Sequence, residues 1–397
     1  MSPQSRARHA QSGLSTLDSG LAVPGRRTAT RYRPSVPSIT VPDYGGGSLL
    51  NLVSELEHRM TGSSPSPRLH PHLADLIPVG HSYVLFVFDG LGSLQLDHPD
   101  AAALAASHLA TIDAPFPTTT TVSLATIATG RPPSQHGLLG YQLWMPEVDE
   151  VVNTIKWTTL WGEPIDYETE SFIPAPNLWE RLGAAGREPI TVQPGHLQGS
   201  ALSRLLYRGC RFEPAYTVDE IVEATVQLAA EPGRLVFSYL PHIDFTAHVY
   251  GQASDEYAVA VKTVATAWHT ATHHMPAGTT LIGTGDHGHI DFDRQVKIAK
   301  PDHTDRTFYG DGRAMFVKGD GAALAGSLPA TWFSLDQMKD WWGPGPRHKA
   351  FKSRSPDGVL VADDDTLLLH RHSDDRMIGN HGALTDSERL VPLLVRD

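Results

Sequence analysis

The sequence predicts an α/β fold in which a mostly parallel central sheet lies between helical layers, and three observations predict it. Runs of strand length recur at residues 83–88, 189–192, 235–240 and 279–285, and those at 83–88 and 235–240 are apolar-rich, as expected of parallel strands buried on both faces. Helical periodicity occupies the stretches between them, at 48–60, 177–186, 217–229 and 255–273. Two of the runs end directly in acids beside glycine, Asp89-Gly90 and Asp286-His287-Gly288. Ligand sites of open α/β sheets gather at that carboxyl edge.

With 397 residues and 40% hydrophobic content the chain can bury a large core. A net charge of -12 argues against general nucleic-acid binding or docking to an anionic membrane, since both need basic surface. No apolar run reaches the roughly 18 to 20 residues that span a bilayer. Arg26-Arg27 could suggest a twin-arginine signal, but residues 28–42 bring no apolar region behind it. The expectation is a soluble, cytoplasmic protein. Cys210 is the only cysteine, so no internal disulfide can form and any metal must be held mainly by His and carboxylate.

In chain order, residues 1–44 carry six arginines against Asp18 and Asp43, with many Ser, Pro and Gly and no sustained period, and read as a flexible N-terminal arm. Leu49, Leu52, Val53, Leu56 and Met60 then fall at helical spacing and open the folded domain. Residues 83–88 form a buried strand that delivers Asp89. Pro117 breaks the chain before a run of hydroxyls, Thr118 to Thr121, which offers helix-capping oxygens. The small apolar residues after Thr120 form a helix that stops at Gly130. A threonine hydroxyl at such a helix start sits beside unpaired backbone N–H groups and the positive end of the helix dipole, which suits an arriving phosphoryl group.

Residues 141–170 hold Trp144, Trp157 and Trp161 without a clear period and read as a loop or small insertion near the active face, the tryptophans anchoring it. Asn177 starts a short helix, and Thr217 with Glu220 forms a capping box for the next one. The strand at 235–240 delivers Asp244 and His248, four residues apart and so on one face of a helical turn. Late strands follow at 314–317 and 391–395. Residues 321–371 between them read as a partly separate insertion, and Gly379-Asn380-His381-Gly382 comes just before the end.

Six candidate ligands, Asp89, Asp244, His248, Asp286, His287 and His381, thus occur at or just past strand ends or in glycine-flanked turns. Carboxylate and imidazole together suit Zn²⁺ first and Mn²⁺ second, and with a nucleophile's oxygen added they suffice for two ions.

This set resembles the type I phosphodiesterase/nucleotide pyrophosphatase branch of the alkaline phosphatase superfamily. The resemblance runs in order over about residues 80–395, through Asp89-Gly90, the Thr120 block with Thr129-Gly130 and His136-Gly137, Asp244 and His248 with Gly251, Asp286-His287-Gly288, and His381-Gly382. It implies an alkaline-phosphatase-like three-layer sandwich over residues 45–397, with 141–170 and 321–371 as substrate-side insertions. It implies one metal on Asp244, His248 and His381 and a second on Asp89, Asp286 and His287. The family's nucleophilic Thr, nine positions before the Thr of its Thr-Gly, is Thr120 here, with Thr118, Thr119 and Thr121 as near registers. The activity implied is hydrolysis of phosphodiester or pyrophosphate bonds by a paired-zinc enzyme through a phosphothreonine. The partner is a small phosphorylated substrate, a nucleotide among the candidates.

One departure bears on that substrate. About 21 residues after the nucleophile the family carries an Asn that binds a phosphoryl oxygen, and here that position is Tyr141, whose hydroxyl can donate a similar bond. Arg313, His242 and His289 lie near motif segments and are weighed as substrate contacts or as local structure. The competing functions are a phosphomonoesterase or phosphonate hydrolase of the same superfamily and a non-catalytic metal-binding homologue. A sulfatase is disfavoured, because Cys210 is followed by Arg211-Phe212 and not by a Cys-x-Pro-x-Arg-type motif.

Overall fold

The computed structural model describes residues 39–298 and 306–396. The expected N-terminal arm therefore lies outside the described residues up to position 38. Its last residues, 39–44, are held against the body: Ile39 and Val41 pack on the core, and buried Tyr44 donates its hydroxyl to Trp341 O at 2.8 Å and accepts from Phe116 N at 3.0 Å.

Seven strands form the central sheet: β1 (Ser82–Phe88), β2 (His108–Asp113), β3 (Glu188–Pro194), β4 (Arg211–Ala215), β5 (Arg234–Leu240), β6 (Thr279–Gly285) and β7 (Leu390–Arg396). Their order is β2-β7-β6-β1-β5-β3-β4. The block β6-β1-β5-β3-β4 is parallel, and β7 runs antiparallel to both β6 and β2. β1 shows why its run is apolar throughout. Tyr83, Leu85 and Val87 enter one hydrophobic core while Val84, Phe86 and Phe88 enter another on the opposite face. Both faces of the sheet are covered, as an α/β sandwich requires.

The helices follow the sequence signals closely. α1 (Leu49–Thr61), α2 (Thr120–Thr129) and α3 (Leu178–Ala184) place Leu52, Leu56, Ile127 and Trp179 in the first core. α4 (Val218–Ala229), α5 (His242–Tyr250) and α6 (Asp255–His274) place Ile221, Ala247, Val264 and Trp268 in the second. Asn177 caps α3 reciprocally with Glu180. At α4 only half of the expected capping box forms. Thr217 Oγ1 accepts from Glu220 N at 3.1 Å, but the Glu220 carboxylate reaches back one residue further, to Tyr216 N at 2.6 Å.

The strand at Ala314–Lys318 joins a separate antiparallel sheet with Thr307–Gly310, Gly358–Ala362 and Ala330–Ser334, not the central one. Residues 321–371 complete that sheet. Residues 141–170 contain three short antiparallel strands, Gln142–Met145, Glu150–Asn153 and Thr158–Thr159, anchored by buried Trp157 against Tyr167 and Phe172. Among the described residues no helix is long and apolar enough to cross a membrane.

Candidate active site

The site forms at the carboxyl edge of β1, β5 and β6. Phe88 pairs with Gly285 and with Leu240, so the residues that follow those strands emerge together. Asp89 N donates to Leu240 O at 3.0 Å, and Asp244 N, at the start of α5, donates to Asp89 O at 3.0 Å. Gly90 is needed here: its φ is +78°, and a Cβ would stand 2.8 Å from the Asp244 Cα.

Two clusters result. Asp89, Asp286 and His287 form the first, with His287 Nε2 3.5 Å from both Asp89 Oδ1 and Asp286 Oδ2. Asp244, His248, His289 and His381 form the second. From Asp244 Oδ1 the Nε2 atoms of His248, His289 and His381 lie at 3.3, 3.6 and 3.5 Å. Metal bonds of about 2.1 Å in a tetrahedron set ligand atoms about 3.4 Å apart.

The ring orientations fit a cation as well. His287 Nδ1 donates to Gly288 O at 2.9 Å, His248 Nδ1 to Gly379 O at 2.9 Å and His381 Nδ1 to Thr118 O at 2.7 Å. A carbonyl can only accept, so each Nδ1 carries the proton and each Nε2 offers a lone pair. Among the described residues, Asp244 Oδ1, Asp286 Oδ2 and both ring nitrogens of His289 are buried without a hydrogen-bond partner. Unpaired buried groups of this kind are costly unless something else coordinates them. The residues present therefore fit metal ions.

Electrostatics point the same way. Burial raises the Asp89 carboxyl well above its usual range, and the neighbouring Asp286 and Asp244 add to the rise while Tyr239 opposes it. Burial also raises Asp286, against the pull of His287. His381 and His289 are held well below the ordinary imidazole value by burial and by the adjacent histidines, so both are neutral.

Thr120 begins α2 between these groups. Its Oγ1 donates to Asp89 Oδ1 at 3.3 Å and lies 3.1 Å from His287 Nε2. The other hydroxyls of the run do not cap the helix as the sequence suggests, since Thr119 at the cap position makes no side-chain cap bond. Thr118 and Ser123 position loops instead. Thr118 Oγ1 donates to Ala383 O at 2.8 Å and accepts from Gly382 N at 3.0 Å, which ties the His381 turn to the start of α2. Ser123 Oγ donates to Asp286 O at 2.6 Å.

A cavity of about 240 Å³ opens onto Thr120, Asp244, His248 and His381. Tyr141, Gln142 and Ile155 form one side of it and Leu367, Leu368 and Leu369 another, so both expected substrate-side segments reach it. All eight residues singled out by the sequence, Asp89, Thr120, Tyr141, Asp244, His248, Asp286, His287 and His381, thus stand in the clusters or on this cavity. Arg313 does not. It is fully buried, paired with Glu388 and donating to Asp363 O and Thr366 O. His242, half-buried at the start of α5, is not on the cavity wall, while His289 packs into the second cluster.

Sequence reasoning passed over two groups. Tyr239, on β5, donates its hydroxyl to Asp89 Oδ2, and its only signal was its place near the end of a strand that delivers a ligand. Asp311 lines the cavity, with burial pushing its carboxyl up to about 7. A signal existed there, an acid between Gly310 and Gly312. Gly382 accommodates it, since a Cβ would lie 2.7 Å from the Asp311 Cβ.

Among curated proteins no match is found. Solved structures give the fold. Murine ectonucleotide pyrophosphatase/phosphodiesterase 5 is 20% identical with a TM-score of 0.61, covering 78% of this chain and 87% of its own. An inactive variant of that murine protein in complex with AMP is 19% identical with a TM-score of 0.60, over 78% and 87% of the two chains. Phosphonoacetate hydrolase from Sinorhizobium meliloti 1021, in complex with phosphonoacetate, is 16% identical with a TM-score of 0.60, over 80% and 91%. The family model described as type I phosphodiesterase/nucleotide pyrophosphatase matches residues 83–384, a span that takes in every cluster residue, and the chain belongs to that family within the alkaline phosphatase superfamily.

Proposed function

We propose that the protein is a metal-dependent hydrolase of phosphodiester or pyrophosphate bonds that works through a covalent phosphothreonine on Thr120. The observation that carries this reading is the Thr120 hydroxyl, poised at the N-terminus of a ten-residue helix within 3.3 Å of Asp89 and 3.1 Å of His287. In this reading Asp244, His248 and His381 hold one ion, and Asp89, Asp286, His287 and Thr120 Oγ1 hold the other, both Zn²⁺ or, second, Mn²⁺. Bound ions would supply Lewis acidity that lowers the pKa of the nucleophile and offsets charge in an in-line displacement.

The chain's own residues do the rest. Thr120 Oγ1 gives up its proton to solvent and bonds to phosphorus as the P–O bond to the leaving group breaks, and the leaving oxygen departs as an anion or takes a proton from solvent. The N–H groups at the start of α2 face the phosphoryl oxygens, and Tyr141 donates to one of them. Water then attacks the phosphothreonine and restores the hydroxyl. The leaving group meets the walls built from residues 141–170 and 321–371. The small phosphorylated substrate includes nucleotides among its candidates, and the setting in this reading is cytoplasmic. The second reading is a phosphomonoesterase or phosphonate hydrolase, because the ligand set is shared across the superfamily and specificity lies outside it.

The test compares bis(p-nitrophenyl) phosphate with p-nitrophenyl phosphate on zinc-loaded protein, with Thr120→Ala as control. Faster cleavage of the diester, lost in the variant, is the expected result. Preference for the monoester moves the function to the second reading, and turnover that survives Thr120→Ala rules out the phosphothreonine.

A further inference from the structure

We propose that Asn153 is a positioning residue that aims the Tyr141 hydroxyl proton into the phosphoryl site. The proposal rests on the reading of Thr120 and its cavity as a phosphoryl-transfer site. Asn153 is 9% exposed and sits across from Gln142 in the small sheet of residues 141–170. Its side-chain amide has a fixed orientation, because Oδ1 accepts from Ile155 N at 3.0 Å and from Lys156 N at 3.1 Å. An amide nitrogen cannot accept those bonds, so the NH₂ group is the end that faces Tyr141. Asn153 Nδ2 donates to the Tyr141 hydroxyl oxygen at 3.0 Å.

That direction matters for the proton on the phenol. A tyrosine hydroxyl that accepts from a neighbour still has its own O–H to donate. Among the described residues the Tyr141 hydroxyl has no other partner, and Tyr141 lines the same cavity as Thr120. The main chain around it is held as well, with Tyr141 O accepting from Thr154 N at 2.9 Å and from Thr154 Oγ1 at 3.0 Å. Burial and the nearby Asp311 raise the Tyr141 pKa, so the phenol keeps its proton at neutral pH. An anionic phosphoryl oxygen in the cavity is the acceptor this arrangement is built to meet. An apolar residue at 153 would leave the hydroxyl free to turn, and an acceptor there would capture its proton.

Asn153→Asp provides the acceptor with little change of shape. One carboxylate oxygen still serves Ile155 N and Lys156 N, while the other faces the phenol and reverses the hydrogen bond. In the zinc-loaded full chain, kcat/KM for bis(p-nitrophenyl) phosphate should fall about ten- to a hundredfold, matching Tyr141→Phe. The double variant should be no worse than Tyr141→Phe alone, whereas simple repulsion by the new carboxylate would persist in the Phe background and multiply the losses. Binding of inorganic phosphate should weaken by a similar factor in Asn153→Asp, with zinc content unchanged. Losses that multiply, or a variant with wild-type kcat/KM and phosphate affinity, would overturn the proposal. If the wild type turned over no ester, the parent reading would fail separately. The phosphate arm would still decide for Asn153, since equal affinity of wild type and variant overturns it.

Discussion

The two clusters are made of the same side-chain chemistry but built in different ways. Asp89 and Asp286 follow paired positions on neighbouring strands, Phe88 and Gly285, so sheet register alone brings them together. Their side chains, with that of His287, are between 0% and 5% exposed. The Asp244 cluster draws on one helix and two turns, and its Asp244 and His248 side chains remain 15% and 18% exposed. A cluster set by register comes nearly preformed and buried, while the one set by the docking of separate elements buries His289 and His381 but stays partly open to solvent at Asp244 and His248. For the proposed pair of ions, the difference teaches that the buried site should retain its ion and the more open one exchange it.

The largest expected effect tests that directly. A chelator added to the zinc-loaded protein should withdraw metal in two phases, the fast one assigned to the Asp244 cluster. Complete removal should lower Tm by about 5 to 10 °C at pH 8. The loss should shrink toward pH 5. Asp89 and Asp286 have raised folded pKa values, so the metal-free protein holds their protons more tightly than the unfolded chain, and its stability falls as pH rises through that window. Single-phase release, or a Tm indifferent to chelation, would break the comparison.

The same contrast explains what could be read from the sequence. Asp89 closes a strand whose apolar run is unmistakable, and Asp286-His287 follows a shorter signal, Leu281-Ile282 among threonines and glycines, so strand ends located them. Asp244 and His248 announced themselves by four-residue spacing on a helix, and His381 by its flanking glycine. Partners supplied by tertiary packing left no such trace. Nothing in the period of residues 141–170 shows that Asn153 meets the Tyr141 hydroxyl, and nothing near Tyr239 shows its bond to Asp89. The strand β2 was missed for a related reason. Only its last two residues are buried, so it has little apolar signal, and its place comes from pairing with β7. The hydroxyl run misled in the opposite sense, because a threonine at a helix start favours a cap, and here Thr118 instead ties the 382–383 turn to the start of α2.

A second, smaller effect separates the acids proposed to hold an ion from one that is not. Asp311 lies on the cavity wall outside both clusters, and burial pushes it up to about 7 from the ordinary 3.8. Its ionisation therefore costs stability, and the cost grows as pH rises from about 4 to about 7. Asp311→Asn should stabilise the protein by about 2 to 4 kcal/mol at pH 8, with the gain vanishing near pH 4. Asp286→Asn should stabilise the metal-free protein too. Zinc should abolish that second gain and leave the first. Thermal melts of the two variants with and without metal check this, and a gain at Asp311 that zinc removes would mean that the charge at the neighbouring His287 governs the Asp311 carboxylate as it does the cluster acids.

The smallest effect concerns a single hydroxyl in the buried cluster. Tyr239 donates to Asp89 Oδ2, leaving Oδ1 to face Thr120 and His287. That bond orients the carboxylate, and partners of this kind typically contribute about ten- to a hundredfold to metal affinity. Burial and the adjacent Asp89 raise the tyrosine's own pKa well above its usual value, so it donates across the whole working range of pH. Tyr239→Phe should cost about 1 kcal/mol of stability. It should speed the slow phase of zinc release about tenfold and leave the fast phase alone. Because β5 also leads into α5, a change in both phases would mean that the strand and not the hydroxyl couples the clusters, and the contrast between a register-built site and a docked one would fail at the point where the two share an element.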